Sequence, residues 1–243
     1  MDLQKLVPAL VEWLRSKVAE ARAEGLVLGL SGGIDSAVAA ALCKQAFPQR
    51  SLGVIMPCYS IPQDADDARL VAEHLGLETR TVVLNDVFTT FLKQLSGETY
   101  SDSNKRDLAV ANIKPRLRMT TLYFFAARYR YLVVGTGNRS EIMIGYYTKY
   151  GDGGVDLLPL ASLLKAEVKE LARYLGLPRR VIEKAPSAGL WDDHNDEAEL
   201  GITYEELDDY LESGTGSDRV RRIVNDLIKR SQHKRELPPI PPF

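Results

Sequence analysis

Cysteine is nearly absent from this chain of 243 residues, which contains only Cys43 and Cys58. The two lack the Cys-x-x-Cys spacing of a redox pair or a thiolate metal site, and Cys43 lies in an apolar run, so free buried thiols are expected. No apolar stretch approaches the roughly 20 residues that a membrane-spanning helix needs. Met1-Asp2-Leu3-Gln4-Lys5 opens an amphipathic helix and lacks the apolar core of a signal peptide. The net charge of −2 supplies no bulk attraction to nucleic acid or to an anionic membrane, so neither is an expected partner. Two familiar phosphate loops are also missing. No lysine lies between Gly25 and Lys44, which removes the Gly-Lys-Ser/Thr closure of a Walker loop, and Gly-x-Gly-x-x-Gly does not occur there. Internal repeats are absent, and the one biased segment is the tail Pro238-Pro239-Ile240-Pro241-Pro242-Phe243, which proline holds extended.

What remains is ordinary for a globular chain, with 45% hydrophobic and 26% charged residues. The expectation is one cytoplasmic domain over 1–243, carrying an N-terminal helix at about 3–23 and a proline-rich extension at 236–243. The N-terminal helix is read from the spacing of Leu6, Leu10, Val11, Leu14, Val18 and Ala21.

The most informative segment is Ser31-Gly32-Gly33-Ile34-Asp35-Ser36. It follows the apolar run Leu26-Val27-Leu28-Gly29-Leu30 and precedes the helix-forming run Ala37 to Leu42, so it is a strand-to-helix turn. Glycines there leave room for a ligand, and the N–H groups of the turn and of the new helix converge on one spot, which suits phosphate. Ser31 and Ser36 add hydroxyls, and Asp35 adds a carboxylate placed for a phosphate-bound Mg²⁺.

Further strands are expected at 51–56, 78–83, 131–134 and 155–158, and helices at 64–75, 87–95, 108–130 and 163–175, the long helix being disturbed at Pro115. The polar stretch Ser96 to Asn104 is expected to be a mobile loop. Strands alternating with helices imply an α/β fold: a Rossmann-like, doubly wound parallel sheet flanked by helices, with ligands at the carboxyl ends of its strands. The glycine loop after the first strand and Gly135-Thr136-Gly137-Asn138 after the fourth therefore share the binding edge.

The Ser-Gly-Gly-x-Asp-Ser pattern resembles the pyrophosphate loop of the N-type ATP pyrophosphatases, which have an adenine nucleotide alpha hydrolase-like fold. Later segments narrow the resemblance. Gly135-Thr136-Gly137-Asn138-Arg139-Ser140-Glu141 and Tyr147-Thr148-Lys149-Tyr150-Gly151-Asp152-Gly153-Gly154-Val155-Asp156-Leu157-Leu158-Pro159-Leu160 are similar to the central signature of the NAD synthetase family. Glu183-Lys184-Ala185-Pro186-Ser187-Ala188-Gly189-Leu190-Trp191, Asp196 to Gly201 and His233-Lys234-Arg235 resemble its later motifs, in order.

The resemblance implies a ligase that uses ATP and Mg²⁺ to amidate nicotinic acid adenine dinucleotide (deamido-NAD) to NAD through an adenylate, releasing AMP and diphosphate. Because the loop starts at Gly29, no fused glutamine-hydrolysing domain fits before it, and ammonia is the implied nitrogen donor. Asp35 and Glu141 are implied Mg²⁺ ligands, and with Lys165 they are the implied catalytic residues. ATP is assigned to Gly29, Leu30, Ser31, Gly32, Gly33, Ile34, Asp35 and Ser36, with Thr136, Lys165 and Ser187. Deamido-NAD is assigned to Arg116, Lys149, Asp156, His233 and Lys234, and Ser60 to the adenine. A homodimer is implied too. The long helix is consistent with it, since Leu117, Thr121, Phe124, Phe125 and Tyr129 spread apolar surface around much of its circumference, which a second copy or burial within one subunit would cover equally well.

Ile34 stands where the family often has Gln, and Ser187 where it often has Thr. Competing readings are weaker. A GMP synthetase-like core would bring an additional dimerisation domain. A tRNA sulfurtransferase would bring reactive cysteines, zinc ligands or a basic face. A nucleotide-binding regulator would lack the paired carboxylates.

Overall fold

The structure is a computed structural model that describes residues 1–186 and 196–242. Its elements run α1 (Leu3–Glu20), β1 (Gly25–Gly29), α2 (Ile34–Ala46), β2 (Ser51–Ile55), α3 (Pro62–Leu75), β3 (Glu78–Thr81) and α4 (Asn85–Ser96). They continue with α5 (Leu108–Ala111), α6 (Ile113–Tyr129), β4 (Tyr131–Val134), α7 (Arg139–Ile144) and α8 (Lys165–Tyr174). The remainder is helical: α9 (Arg179–Ile182), α10 (Asp196–Leu200), α11 (Tyr204–Ser213), α12 (Asp218–Arg230) and α13 (Gln232–Arg235).

The strands form one parallel sheet in the order β3-β2-β1-β4. Register is set at Leu28↔Gly53, Leu28↔Val134 and Val54↔Arg80. β1 is central, and Leu26, Val27 and Leu28 are wholly buried, as a strand covered on both faces requires. On one face α1, α2 and α8 pack with β1 around Leu14, Val38, Leu42 and Leu171. On the other, α4 and α6 close over Val27, Val54, Phe88, Leu122 and Val133. A third cluster, with Ile144, Tyr204, Leu207 and Val224, joins α7 to α11 and α12. Among the described residues no helix is long and apolar enough to cross a membrane. Both cysteines are free and buried, as expected.

Two local expectations change. Residues 155–158 form no strand; a single bridge, Val134↔Leu157, extends the edge of β4 through Leu157 N to the Val133 carbonyl and Gly135 N to the Leu157 carbonyl. The ladder stops there because the Asp156 carboxylate takes the Val133 N–H at 2.8 Å and Pro159 has no N–H to give. The break in the long helix falls at Asn112, where Asp107 caps α5 and a new helix starts. Pro115 then lies in the first turn of α6, where its missing N–H costs nothing.

β1 leads through α2 to β2 on one side, while β4 lies on its other side. The chain therefore diverges between β1 and β4, and a crevice opens at their carboxyl ends, the usual ligand position in doubly wound sheets. The Gly29–Ser36 loop and the Gly135–Glu141 segment form its two walls.

Candidate active site

The glycine loop is shaped by close approach. Gly32 has φ +79°, and a Cβ there would lie 2.3 Å from the Asp64 carbonyl oxygen and 2.9 Å from Asp67 Cβ, so only glycine fits. The hydroxyls tie the turn internally: Ser31 Oγ and Ser36 Oγ are 3.0 Å apart, Ser36 Oγ donates to the Gly33 carbonyl at 2.9 Å, and Gly33 N donates to Ser31 Oγ at 3.2 Å. The N-cap of α2 is Gly33, which carries no capping side chain, so the first N–H groups of α2 are left for an anion at the positive end of the helix. The Ile34 side chain is buried in the core, which leaves only its backbone to the loop.

Asp35 sits in the first turn of α2 and meets the second wall directly. Asn138 Nδ2 donates to Asp35 Oδ1 at 2.9 Å. Asn138 is also the N-cap of α7: its side chain accepts from Glu141 N, and Glu141 Oε2 accepts from Asn138 N at 3.2 Å. This reciprocal capping box fixes the Glu141 side chain. Its other oxygen, Oε1, accepts from Lys165 Nζ at 3.2 Å, while Lys165 Nζ donates to Asp35 Oδ2 at 2.6 Å. The lysine side chain is 4% exposed and lies 5.0 Å from the ring centre of Tyr204.

The electrostatics follow from burial. Desolvation, with the Asp35 charge second, pushes the Glu141 carboxyl up to about 7 against the pull of Lys165. Desolvation also acts to lower the Lys165 ammonium, but Asp35 and Glu141 outweigh it and hold the group above the ordinary lysine value. Tyr204 adds a hydroxyl that donates at 3.4 Å to Glu141 Oε1 and 3.3 Å to Asp196 Oδ2.

Asp35, Glu141 and Lys165 are thus brought to one point, and Thr136 lies on the wall after β4. Ser187 falls outside the described residues. Of the residues assigned to deamido-NAD, four gather around 145–150. Lys149 Nζ donates to the His233 carbonyl, Lys234 Nζ donates to the carbonyls of Gly145 and Tyr147 at 2.7 and 2.6 Å, and Arg116 Nη2 donates to the Lys149 carbonyl at 3.5 Å. Asp156 is directed elsewhere: it accepts from Val133 N at 2.8 Å and from the Tyr123 hydroxyl at 3.0 Å, binding β4 to α6. Ser60 Oγ accepts from Arg118 Nη2 at 3.2 Å at the carboxyl end of β2.

Sequence reasoning passed over Asn138 and Tyr204. The first had a legible signal, since Asn followed three residues later by Glu is a capping-box pattern. Tyr204 reaches the site from a distant helix, and nothing local announces it.

A metal fits this donor set only in part. Two carboxylates reach one common point, which suits a hard cation such as Mg²⁺, but among the described residues no group of three His, Cys, Asp or Glu side chains is placed to hold an ion. Mg²⁺ commonly takes one or two carboxylates together with substrate phosphates. The neighbouring glycine loop would present those phosphates.

Comparison with known proteins places the whole chain. Residues 6–238 match the model of the NAD synthase family. The NH(3)-dependent NAD(+) synthetase of Carboxydothermus hydrogenoformans is 55% identical over 232 residues, covering 96% of this chain and 95% of that protein. Among solved structures, the NMN synthetase of Francisella tularensis superposes with a TM-score of 0.94 at 39% identity, covering 100% of both chains. The NH3-dependent NAD synthetase of Campylobacter jejuni, solved with a nitrate ion, superposes with a TM-score of 0.80 at 31% identity, covering 99% of each.

Proposed function

Because this chain belongs to the NAD synthase family, we propose that the junction of Asp35, Lys165 and Glu141 is where its chemistry occurs. The enzyme is an ATP-using ligase that amidates deamido-NAD to NAD with ammonia as nitrogen donor. A nicotinate carboxylate oxygen attacks the α-phosphorus of ATP, and the bond to the bridging oxygen breaks to release diphosphate. Ammonia then adds to the acyl carbon, loses a proton, and expels AMP with its oxygen.

Placement supports the role given to each described residue. The N–H groups at the start of α2 and the Gly29–Ser36 turn receive the ATP phosphates. Asp35 and Glu141 would hold Mg²⁺ beside those phosphates, where the ion would supply positive charge to offset theirs and to polarise the reacting phosphorus. Lys165 places its ammonium beside the transferring group, where positive charge stabilises the transition state. Thr136 contacts ATP from the β4 wall, and Ser187 completes the ATP set. Arg116, Lys149, His233 and Lys234 form the deamido-NAD side, with Lys234 acting through the backbone carbonyls that it holds, while Asp156 braces β4 beneath it.

The observation that carries this reading is the ion-paired bridge from Asp35 on one wall of the crevice to Glu141 on the other, beside an uncapped helix N-terminus. The test is a product assay with ATP, Mg²⁺, deamido-NAD and an ammonium salt. NAD, AMP and diphosphate should form in equal amounts; formation of ADP and phosphate would overturn the reading.

A homodimer is the proposed functional unit. α4 exposes Val87, Phe91 and Leu95 at four-residue spacing, Val83 just before it is exposed as well, and α6, which packs on α4, exposes Phe124 at 64%. Apolar stripes of this kind call for cover. A cytoplasmic location is proposed from the two free, buried thiols.

A second acceptor, the mononucleotide acid, has one observation behind it: full-length superposition on the Francisella NMN synthetase at a TM-score of 0.94. The ratio of kcat/KM for the mononucleotide and dinucleotide acids decides between them.

A further inference from the structure

α8 begins without a capping side chain of its own. Its N-cap is Leu164, which has no polar group, and Glu167 Oε2 satisfies only the Leu164 N–H, at 2.8 Å. The next two N–H groups are taken by residues of other helices. Lys165 N donates to Ser140 Oγ of α7 at 3.0 Å, and Ala166 N donates to Asp208 Oδ2 of α11 at 2.9 Å. Ser140 Oγ in turn donates to Asp208 Oδ1, which closes the network. Ser140 is wholly buried and Asp208 is 6% exposed. The Asp208 charge is therefore met by N–H and O–H donors at the positive end of α8.

The position of this network gives it a consequence beyond capping. Lys165 is the first residue of α8, so the same two bonds that cap the helix set where the lysine side chain starts. Ser140 is the residue before Glu141. One carboxylate from α11 thus ties together the first turns of α7 and α8, which carry Glu141 and Lys165. From these two starts the Lys165 Nζ and Glu141 Oε1 atoms meet at 3.2 Å.

We propose that Asp208, acting through Ser140, is a positioning residue for amidation: it holds Lys165 and Glu141 at their working separation from beyond the reach of any substrate. The inference rests on the roles assigned above to Lys165 and Glu141. A cap that only stabilised α8 would show in the melting temperature and leave turnover per folded molecule intact. A positioning residue shows in kcat, because Lys165 acts on the transition state.

The test uses Asp208→Asn, Ser140→Ala and the double variant in the full chain, with kcat, KM for ATP and deamido-NAD, and melting temperature. Each single variant should lose about ten- to a hundredfold in kcat, as sub-ångström misplacement does. Both KM values should stay within about threefold, because ground-state contacts are untouched. The double variant should be no slower than the slower single variant, since both changes open one network. Losses that multiply, losses confined to KM, or kcat per folded molecule near wild type would overturn the inference. If Asp208→Asn does not fold, the kcat and KM of Ser140→Ala decide alone. Lys165→Met and Glu141→Gln serve as controls. If they retain activity, the site reading fails; if they lose it while Ser140→Ala does not, only the positioning role fails.

Discussion

Lys165 Nζ lies 2.6 Å from Asp35 Oδ2, with the lysine side chain 4% and the aspartate side chain 16% exposed, so the first helix after β1 and the helix α8 are joined through a desolvated ion pair. The same ammonium also meets Glu141, and it therefore separates two carboxylates that would otherwise repel each other in a buried crevice. Lys165→Met removes that cation. The variant should lose about 3–5 kcal/mol of stability near pH 8, the usual cost of leaving a buried charge unpaired. The sign of the pH dependence follows from Glu141. Its folded pKa, raised to about 7, exceeds the ordinary 4.5, so between those values the folded state holds a proton that the unfolded state releases. Without Lys165 that tendency grows, and the deficit should shrink toward pH 5.5. Urea denaturation of both proteins at the two pH values reads it; an equal deficit at both would show that the pair is not electrostatically coupled.

Asp35→Asn and Glu141→Gln each delete one carboxylate while leaving Lys165 a partner. Turnover should fall by about a hundredfold or more, as for loss of a group stabilising charge in the transition state. The melting temperature should hold or rise, because like-charge repulsion is relieved. Manganese binding followed by electron paramagnetic resonance adds a second readout. The ion should bind wild-type protein only with ATP present, since two carboxylates already engaged by an ammonium make a poor site on their own. Tight binding without nucleotide would contradict this.

Lys184 bridges Asp64 at 2.8 Å and the buried Asp67 at 2.7 Å, fastening residues 183–186 to the start of α3 beside Gly32. Lys184→Met should cost about 1–3 kcal/mol at pH 8, moderated by the remaining Arg180–Asp67 pair. Desolvation opposes the ammonium, but the bonds to Asp64 and Asp67 raise its folded pKa above 10.5. Its contribution is therefore complete below pH 10.5 and fades as pH climbs through the higher folded value. The stability difference between wild type and variant should narrow by pH 11; a constant difference would assign it to lost packing.

The apolar stripe of α4 gives the dimer prediction. Phe91→Asp, at a site 46% exposed, should leave the fold intact and halve the sedimenting mass. Mixing inactive Asp35→Ala and Arg116→Ala subunits should restore activity if Arg116 serves the partner's site. A wild-type chain that sediments as an active monomer would remove the dimer.

Much of this was legible in the sequence for physical reasons. The glycine loop stood out because a strand-to-helix phosphate turn needs several special residues in a row. Asp35 and Glu141 stood out because each opens a helix after an edge loop. The sheet was readable since strands buried on both faces are continuously apolar, as β1 is. What escaped was non-local. The 155–158 run is mostly apolar yet makes one bridge, because the Asp156 carboxylate takes the Val133 N–H and Pro159 has none to donate. Pro115 marked a helix start as well as it would mark a kink, and only the break at Asn112, between the end of α5 and the start of α6, distinguishes the two. Tyr204, Asp208 and Ser140 have no local pattern; tertiary packing of α11 against α7 and α8 alone brings them to the site.

The most direct test of the central claim follows one oxygen atom. Deamido-NAD labelled with ¹⁸O in its nicotinate carboxylate is turned over with ATP, Mg²⁺ and ammonia, and the products are analysed by mass spectrometry. If the carboxylate attacks the α-phosphorus at the Asp35–Lys165–Glu141 junction, one ¹⁸O per turnover leaves on AMP and none appears in diphosphate. Label in diphosphate or inorganic phosphate, or unlabelled AMP alongside NAD, would contradict the adenylate mechanism.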